Sequence, residues 1–312
     1  MERTIERLYS QLEERGLKGR VVSIRRLRDL QDEIEGRHAQ GAFDEEFYRE
    51  RLTFFTFKPP DDFPAASSLI VVAVPRPQTR ISFTWNDKTL ALTLPPTYLA
   101  HREIARETGD ILTELLRPEG HRVVPARLPQ KALAVGSGLA EYGRNNICYV
   151  PGMGSFFQPV PFCSDLPCPA DTWREPRMMD RCETCEACLI KCPTGAITSE
   201  RFLLRTERCI VFHNERSQEY PFPAWIDPAS HNCVMGCMLC QQFCPEDKPF
   251  LDWFGGNEEF SHEETSLLLA GASPDRLPAA TAKKLERLEL LDSLDVLPRN
   301  LGVFLKPELL NP

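Results

Sequence analysis

Seven of the twelve cysteines fall into two groups of closely matched spacing, and an eighth, Cys209, lies between them. Each group combines two-residue and three-residue gaps with a closing Cys-Pro, in the runs Cys182-x2-Cys185-x2-Cys188-x3-Cys192-Pro193 and Cys237-x2-Cys240-x3-Cys244-Pro245. Runs of the first kind are typical of proteins with two [4Fe–4S] clusters, in which three thiolates bind one cluster and the fourth binds the other. The cysteine pattern therefore predicts electron transfer.

Two clusters need eight thiolates, which the spacing divides into two sets of four. The first set is Cys182, Cys185, Cys188 and Cys244, and the second is Cys192, Cys209, Cys237 and Cys240. One position stays open, because Cys233 lies four residues before Cys237 and could take the place of Cys209. A full repeat of the first group would put this cysteine at position 234, which is Val234, so the misfit disfavours Cys233.

Other interpretations of these residues are weaker. Structural zinc also uses C-x2-C pairs, but zinc sites rarely show two three-residue gaps that are each closed by Cys-Pro. The remaining thiols, Cys148, Cys163 and Cys168, are expected to be small buried hydrophobic residues, although Cys163 and Cys168 could also ligate a metal or form a redox pair. His213 and His231 lie near cluster ligands and are expected to donate hydrogen bonds to sulfur or to the backbone.

Length and charge limit the number of domains and the kinds of partner that the chain can have. With 312 residues, the chain is long enough for two domains, and a ferredoxin alone would not need this length. The 37 Lys and Arg residues against 45 Asp and Glu give a formal charge of -8 without a long basic run, which argues against a general nucleic-acid surface. The N-terminus lacks an apolar signal core and no stretch has the length of a membrane span, so a cytoplasmic protein with reduced thiols and no membrane partner is expected.

Hydrophobic patterning predicts a mixed α+β fold. Spacings of three and four residues predict helices within residues 1–58, over 98–116, over 130–142 and in three short segments after residue 262. An apolar β-branched run at 68–75 predicts a buried strand, residues 81–94 predict a hairpin that turns at Asn86-Asp87, and residues 122–125 predict a short strand. The glycine-rich and proline-rich stretch at 143–169 predicts loops, where sites commonly lie.

Three further stretches carry a resemblance to a known family. They are the segment LAVGSGLAEYGRNN at 133–146, the Gly154-Ser155 pair with the two phenylalanines that follow it, and the CPTGAI and GC-x2-CQ-x2-CP runs within the cysteine groups. On these residues the chain resembles the epoxyqueuosine reductases and, more distantly, the reductive dehalogenases. The similarity extends over about residues 65–250.

The resemblance implies three parts: a nitroreductase-like, cobalamin-binding α+β domain over residues 1–175, a ferredoxin-like module with two [4Fe–4S] clusters over 176–254, and a helical C-terminal extension over 255–312. It implies an enzyme in which an external donor of the flavodoxin or ferredoxin type supplies electrons and the clusters pass them to base-off cobalamin. It also favours Cys209 as the eighth cluster ligand. The corrin or its tail would lie on six residues: Gly138, Gly143, Arg144, Asn145, Gly154 and Ser155. Glycines suit such a site because a flat macrocycle needs close backbone approach.

The chain also departs from this family. The family's aspartate, thought to deliver a proton as the epoxide oxygen leaves, falls on Val124 when positions are counted back without gaps. A valine cannot relay a proton, and the nearest titratable side chains, Glu141 and Tyr142, are equally well explained as the exposed end of a helix. The catalytic residues therefore stay unassigned. The acidic charge, and a chain that ends about 60 residues after the clusters without helical repeats, disfavour a tRNA substrate.

Two functions are compatible with these features. The first is a cobalamin-dependent iron–sulfur reductase that acts on a small molecule or a nucleoside, with epoxide-bearing nucleosides and organohalides as the family's precedents. The second is a non-catalytic electron-transfer or corrinoid-reactivating protein that serves a partner. The loss of the acid at Val124 favours the second function, whereas the retained glycine-rich segments at 143–145 and 152–155 favour the first.

Overall fold

The structure, a computed structural model, describes residues 2–305. Within this range lie eleven α-helices: α1 (Glu2–Glu14), α2 (Arg26–Ala39), α3 (Glu45–Arg51), α4 (His101–Leu116), α5 (Gln130–Gly136), α6 (Ala187–Lys191), α7 (Ile210–Asn214), α8 (Leu239–Gln242), α9 (His262–Leu269), α10 (Ala279–Arg287) and α11 (Leu297–Leu305). The same residues form nine strands: β1 (Lys18–Ser23), β2 (Ser68–Pro75), β3 (Gln78–Trp85), β4 (Lys88–Leu94), β5 (Val123–Pro125), β6 (Glu141–Tyr142), β7 (Cys148–Tyr149), β8 (Phe157–Ser164) and β9 (Phe254–Phe260). No helix in this part of the chain has the length and apolar character needed to cross a bilayer.

The chain divides into two compact units. The first contains the described residues up to Pro75, together with His101–Glu186 and Glu200–Leu203. Its main sheet has the strand order β1-β2-β8-β5, and every neighbouring pair is antiparallel. Helices α1, α4 and α5 contact this sheet. The central strand β2 is buried from Ser68 to Ala73, which explains why it reads as a continuous apolar run rather than as an alternating one.

Strand β8 is an element that the sequence pattern predicts as a loop. All of its residues are buried, including Pro159 and Pro161. Proline lacks an N–H donor and is normally excluded from central strands. The two prolines are two residues apart, so both missing donors fall on the same edge of β8. On that edge, beyond the end of β5, the Pro161 carbonyl accepts from the Ala126 N–H at 3.0 Å, while the pairing of β8 with β2 runs without a register shift.

The second unit contains Arg76–Ala100, Ala187–Ser199 and the described residues from Leu204 onward. Its sheet has the order β4-β3-β9, in which β3 pairs antiparallel with β4 and parallel with β9. The β3–β4 hairpin turns at Asn86 and Asp87, whose φ angles of 47° and 60° are the left-handed values that a type I′ turn requires. In the core of this unit, the rings of Phe83 and Phe260 stack with their centroids 5.1 Å apart. Apolar residues of α9, α10 and α11 belong to the same hydrophobic cluster.

The predicted helix over 130–142 is wrong in its second half. Helix α5 ends at Gly136, and Gly138 follows with a left-handed φ of 79°, a conformation that commonly ends helices. Glu141 and Tyr142 then form strand β6, paired with β7, rather than an exposed helix end. Tyr142 is only 9 % exposed, its ring meets that of Phe202 edge-on at 5.3 Å, and burial raises the pKa of its hydroxyl. A buried, protonated phenol here is part of the core.

The other predicted elements are confirmed. These are the helices within the first 58 residues, the strand at 68–75, the hairpin, the short strand at 122–125 and the helices after residue 262. The pattern misses β1, and it misses β9, where a helical extension was expected to begin. The mixed α and β character is thus confirmed, whereas the three-part division with boundaries at 175 and 254 stays a prediction. Residues 306–312 of the expected extension lie outside the described residues.

The capping box of helix α9 provides a test of the second unit's stability. The Ser261 hydroxyl accepts from the Glu264 N–H at 3.3 Å, and the Glu264 carboxylate accepts from the Ser261 N–H at 2.8 Å. We expect Ser261→Ala to lower the free energy of unfolding by about 1 kcal/mol, because the Glu264 N–H loses its acceptor. Urea denaturation followed by circular dichroism measures the change. Ser273→Ala is the control, since Ser273 precedes a 3₁₀ turn without a side-chain cap bond. An equal loss in both variants would contradict the assignment.

Candidate iron–sulfur site

In the first unit, two of the predicted ligands share one tight turn. Cys182 is buried within the 3₁₀ turn Asp180–Glu183, and Cys185 follows three positions later. The Cys182 N–H donates to the Met179 carbonyl at 2.8 Å, and the Cys185 N–H donates to the Arg181 carbonyl at 3.2 Å. This winding keeps two thiols on a single short loop, as ligation of one cluster requires.

The side chain of Arg144 forms hydrogen bonds to the backbone of the same turn. Its Nε donates to the Cys185 carbonyl at 3.2 Å, and its Nη2 donates to the Cys182 carbonyl and, at 3.4 Å, to the Glu183 carbonyl. One guanidinium therefore gathers three backbone oxygens of the C-x2-C loop. The cysteine spacing carries no signal for this contact, because Arg144 lies far from the loop in sequence.

In the second unit, the predicted ligands lie at or beside three short helices. They are Cys188 and Cys192 at α6, Cys209 at α7, and Cys237, Cys240 and Cys244 around α8. Helices α6 and α8 contact each other, which brings the two cysteine runs together. Helix α6 ends at Lys191, directly before the Cys-Pro pair, because proline cannot continue a helix.

Five of these thiols act on one another electrostatically. Burial, together with the neighbouring Cys237 and Cys192, raises the pKa of Cys209 to about 12. Burial also raises the pKa of Cys240, on which Cys237, Cys209, Cys188 and Cys192 act in the same direction. Such coupling requires short separations. The second unit therefore brings together Cys192, Cys209, Cys237 and Cys240, the proposed second set, and Cys188 of the first set lies near them.

Cys233 is placed differently. It is only 1 % exposed, its backbone forms a β-bridge with Thr93, and its thiol donates to the Asn232 side-chain oxygen at 3.2 Å. Burial raises the pKa of Cys233, and Cys237 adds to the effect. To ligate iron, this thiol would have to leave the asparagine that it contacts. The contact favours Cys209 as the eighth ligand.

Asn232 also contacts a predicted ligand directly. Its side-chain nitrogen donates to the Cys237 sulfur at 3.1 Å, and its side-chain oxygen accepts from the Met238 N–H at 2.8 Å. A backbone N–H can only donate, so the Met238 contact fixes the amide orientation and turns the NH2 group toward sulfur. Burial raises the pKa of Cys237, and the Asn232 hydrogen bond opposes that shift. Hydrogen bonds of this kind tune the potentials of iron–sulfur clusters.

Buried amides hold the chain just before Cys237. The Asn214 side chain donates to the Gly236 carbonyl at 2.7 Å and accepts from the Gly236 N–H at 3.0 Å, while Asn300 donates to the Asn214 carbonyl at 2.8 Å. Gly236 has a φ of 77°, and a Cβ there would lie 2.7 Å from the ring of Tyr98. Both the conformation and the close contact require glycine.

Three of the six residues predicted to line a corrin are engaged within the first unit. Arg144 binds the cysteine turn. Asn145 is 3 % exposed, its side-chain nitrogen donates to the Tyr149 hydroxyl at 2.9 Å, and its oxygen accepts from the Ile147 N–H at 3.2 Å. At Gly143, an added Cβ would lie 2.6 Å from the Tyr149 ring. These residues therefore hold the turn between β6 and β7.

The glycines at the end of α5 are covered by another segment of the same unit. A Cβ at Gly136 would lie 2.6 Å from the indole of Trp173, so glycine allows the ring to pack there. The Thr172 carbonyl oxygen would lie 3.6 Å from a Cβ at Gly138, and the Thr172 hydroxyl donates to the carbonyl of Ser137. The close approach at Gly136 is therefore used by Trp173, whereas the contacts around Gly138 are ordinary van der Waals contacts.

The remaining predicted residues lie elsewhere in the same unit. Gly154 has a left-handed φ of 57°, and its carbonyl accepts from the Val150 N–H at 2.9 Å. Ser155 is buried. Val124 lies half-buried in β5, opposite Cys163 of β8, and packs against the apolar core. Val124 therefore offers no proton donor at this position.

Cys148, Cys163 and His213 behave as expected, whereas Cys168 is less buried than predicted. Cys148 and Cys163 are buried, and Cys168 is half-buried. The His213 Nε2 donates to the Glu207 carbonyl at 2.8 Å, since a carbonyl can only accept. No disulfide joins any of the cysteines, all of which lie in the described range. In residues 2–305, no three His, Cys, Asp or Glu side chains converge to hold a single metal ion. The four ligands of a [4Fe–4S] cluster each meet a different iron and need not converge in that way.

Comparison with known sequences agrees with the cysteine pattern. The family model described as a 4Fe-4S double cluster binding domain matches residues 181–247. An epoxyqueuosine reductase from Synechococcus sp. (strain RCC307) is 36% identical over 122 residues, which cover 38% of this chain and 35% of the relative. Another from Synechococcus sp. (strain CC9605) is 34% identical over 142 residues, which cover 45% of this chain and 43% of the relative. The matches thus span less than half the length of these relatives.

Solved structures of the same name share the fold. A selenomethionine-labelled epoxyqueuosine reductase aligns with a TM-score of 0.64 at 19% identity, over 96% of this chain and 80% of that chain. The enzyme from Streptococcus thermophilus aligns with a TM-score of 0.62 at 16% identity, over 97% and 80%. An epoxyqueuosine reductase with a modified tRNA-Tyr stem loop aligns with a TM-score of 0.56 at 21% identity, over 80% and 65%. These similarities confirm a mixed helix and strand fold of this kind.

The choice between Cys209 and Cys233 can be tested by iron content. We expect Cys209→Ser to retain about half of the parent's iron after anaerobic reconstitution, because one of two clusters loses a ligand. Cys233→Ser should retain all of it. Iron and sulfide are determined colorimetrically, with Cys148→Ser as the control for loss of a buried thiol outside the proposed sets. The reverse order, with Cys233→Ser depleted and Cys209→Ser intact, would overturn the assignment.

The Asn232 contact predicts a change in potential. We expect Asn232→Leu to lower the midpoint potential of one cluster, because the more negative reduced state loses an N–H donor to the Cys237 sulfur. A redox titration followed by paramagnetic resonance measures the potential. Asn257→Leu is the control. Asn257 is exposed, and its side-chain nitrogen donates to the Glu259 carboxylate at 3.0 Å rather than to a cysteine. Full iron content with both potentials unchanged in Asn232→Leu would contradict the role of this hydrogen bond.

Proposed function

We infer that this protein, which is epoxyqueuosine reductase-like in sequence and fold, is an iron–sulfur reductase. The observation that carries the inference is the pair of cysteine runs within residues 181–247, the segment that matches the double-cluster family model. The curated relatives that match the chain are named epoxyqueuosine reductases, which supports an enzyme of this type. Because the matches cover less than half of those relatives, the activity of the whole protein is our proposal.

We propose two ligand sets on the basis of spacing. The first cluster takes Cys182, Cys185, Cys188 and Cys244, and the second takes Cys192, Cys209, Cys237 and Cys240. When bound, such clusters accept and release single electrons. The chain's own part is to hold the thiols in short turns and to supply N–H donors to sulfur, as Asn232 does at Cys237. The residues fit the group, since seven of the eight proposed ligands are cysteines in runs of the required spacing and the eighth, Cys209, precedes helix α7.

The finer architecture follows the sequence resemblance. We propose a nitroreductase-like, cobalamin-binding domain over residues 1–175, a ferredoxin-like module over 176–254, and an extension over 255–312. An external donor of the flavodoxin or ferredoxin type would supply the electrons. Cobalamin is the electron acceptor that the resemblance implies.

The residues predicted for the corrin do not fit that group as they stand. The side chains of Arg144 and Asn145 and the space over Gly143 are taken by residues of the same unit, and residues 172–174 cover the backbone around Gly138. Gly154 closes a turn with Val150, and Ser155 is buried. The cobalamin proposal therefore rests on the resemblance alone, and no catalytic step is derived through it.

The substrate class is proposed from the relatives. A nucleoside or another small molecule is favoured, since one similar structure holds an epoxyqueuosine-modified tRNA stem loop. The net charge of -8 disfavours tRNA as the partner of this chain, because phosphate binding relies on Lys and Arg. An activity assay distinguishes a free nucleoside from tRNA as the substrate, if the protein is offered an epoxide-bearing nucleoside either free or within a stem loop.

An electron-transfer protein that serves a partner is the second candidate. Val124, at the position of the family's acid, packs against the core from strand β5 and offers no proton. The structure of the Bacillus subtilis epoxyqueuosine reductase, with a TM-score of 0.55 at 19% identity, is described with its catalytic aspartate loop swung out of the active site. A strand with valine is a different arrangement, and together with the engaged Arg144 and Asn145 it favours this alternative.

Cobalamin binding separates the two functions. The protein is reconstituted anaerobically with iron and sulfide, cob(II)alamin is added, and paramagnetic resonance and absorption spectra are recorded. The reductase proposal predicts that cobalamin co-elutes with the protein and that its cobalt signal changes to the base-off form. Protein treated in the same way without iron and sulfide is the control, which shows whether corrinoid binding depends on the clusters.

The outcomes are separable. Cluster signals with a cobalt signal identical to that of free cobalamin would remove the cobalamin proposal and leave the electron-transfer function. Material without any cluster signal would overturn both.

A further inference from the structure

We propose that Arg144 is a positioning residue of the first iron–sulfur cluster, whose guanidinium fixes the turn from Cys182 to Cys185 and raises the reduction potential of the cluster held there. The inference rests on the proposed iron–sulfur function. It gives Arg144 a role other than the corrin contact that the resemblance implies.

The geometry of the contact lies wholly within the first unit. Arg144 donates from Nε to the Cys185 carbonyl at 3.2 Å and from Nη2 to the carbonyls of Cys182 and Glu183, the latter at 3.4 Å. A guanidinium can reach several acceptors at once because its donors form a rigid, planar fork. A lysine ammonium would carry the charge without that fork.

The backbone beneath Arg144 is itself fixed. The Gly143 N–H donates to the Ile147 carbonyl at 2.7 Å, and the Asn146 N–H donates to the Gly143 carbonyl at 3.0 Å, which closes a tight turn around Arg144. Glycine is needed because the ring of Tyr149 packs where a Cβ would stand. The guanidinium is therefore presented from a rigid base, so it can hold the cysteine turn in place.

The hydrogen bonds from Arg144 to the carbonyls of the cysteine turn also orient the N–H groups of that turn. In a planar trans peptide the C=O and the following N–H point in opposite directions. The carbonyls of Cys182, Glu183 and Cys185 point toward Arg144. The next N–H groups, those of Glu183, Thr184 and Glu186, must point away from the guanidinium. In cluster-binding loops, N–H groups directed at the cluster offset its negative charge, so this orientation suits ligation by the same turn.

The charge of Arg144 adds a second effect. Reduction gives a cluster one more negative charge, and a nearby cation stabilises that state. Arg144 is half-buried, which limits screening by water. Both the charge and the oriented N–H groups act on the potential, so the potential is the informative measurement.

The test compares Arg144→Gln, which removes the charge, with Arg144→Lys, which keeps the charge but loses the fork. Arg177→Gln is the matched control, since Arg177 is exposed, lies in the same unit and pairs with Glu141 rather than with the cysteine turn. Iron content is measured first, and both clusters are then titrated anaerobically by paramagnetic resonance.

In Arg144→Gln, we expect the ratio of reduced to oxidised first cluster at a fixed potential to fall about tenfold, equivalent to ~59 mV for a one-electron couple. The ratio for the second cluster should not change in this variant. For the first cluster, the ratio should fall less in Arg144→Lys and should match the parent in Arg177→Gln. Loss of one cluster's iron in Arg144→Gln, restored in Arg144→Lys, would also support a positioning role.

Several results would overturn the proposal. One is Arg144→Gln with full iron and unchanged potentials, and another is an equal effect of Arg177→Gln. If Arg144→Gln does not fold, Arg144→Lys decides, because a potential and resonance spectrum identical to the parent's would show that the fork does not position the cluster. A parent protein that takes up no cluster would refute the proposed function itself, before Arg144 is tested.

Discussion

Thiol groups in a small, buried volume oppose one another's ionisation, and the local structure around the cysteines depends on this constraint. Burial and neighbouring thiols raise the pKa of Cys209 to about 12, and they raise the pKa of Cys240 as well. Such groups become stable thiolates only where positive charge replaces their protons, which is what iron provides on ligation. The grouped thiols therefore stay protonated in an apo protein and lose their protons when a cluster binds.

The chain meets this constraint with donors as well as with thiols. In the first unit, the charged side chain of Arg144 holds the carbonyls of the cysteine turn. In the second unit, neutral amides serve the corresponding purpose, since Asn232 donates to the Cys237 sulfur and Asn214 holds Gly236 just before it. A charged support stabilises a reduced cluster more strongly than a neutral one does. The two cysteine runs are thus similar in sequence but differ in their surroundings.

The sequence predicts best what depends on local spacing. The cysteine runs are visible because cluster ligands come from short loops, and strand β2 is visible because it is buried on both faces. Strand β8 is missed, since Pro159 and Pro161 resemble loop residues until the sheet shows that their missing donors share one edge. The contacts of Arg144 could not be predicted, because they join segments far apart in sequence, and those of Asn232 depend on the local turn before Cys237, which its sequence does not reveal. Glycines at 136 and 138 suit a macrocycle or a tryptophan ring equally well in sequence, and the structure places Trp173 against Gly136.

The most direct test of the central claim is elemental analysis of protein purified without oxygen. Two cubane clusters on eight cysteine thiolates predict about eight iron atoms and about eight inorganic sulfides per chain in brown material. Colourless protein that contains zinc and no inorganic sulfide would contradict the account.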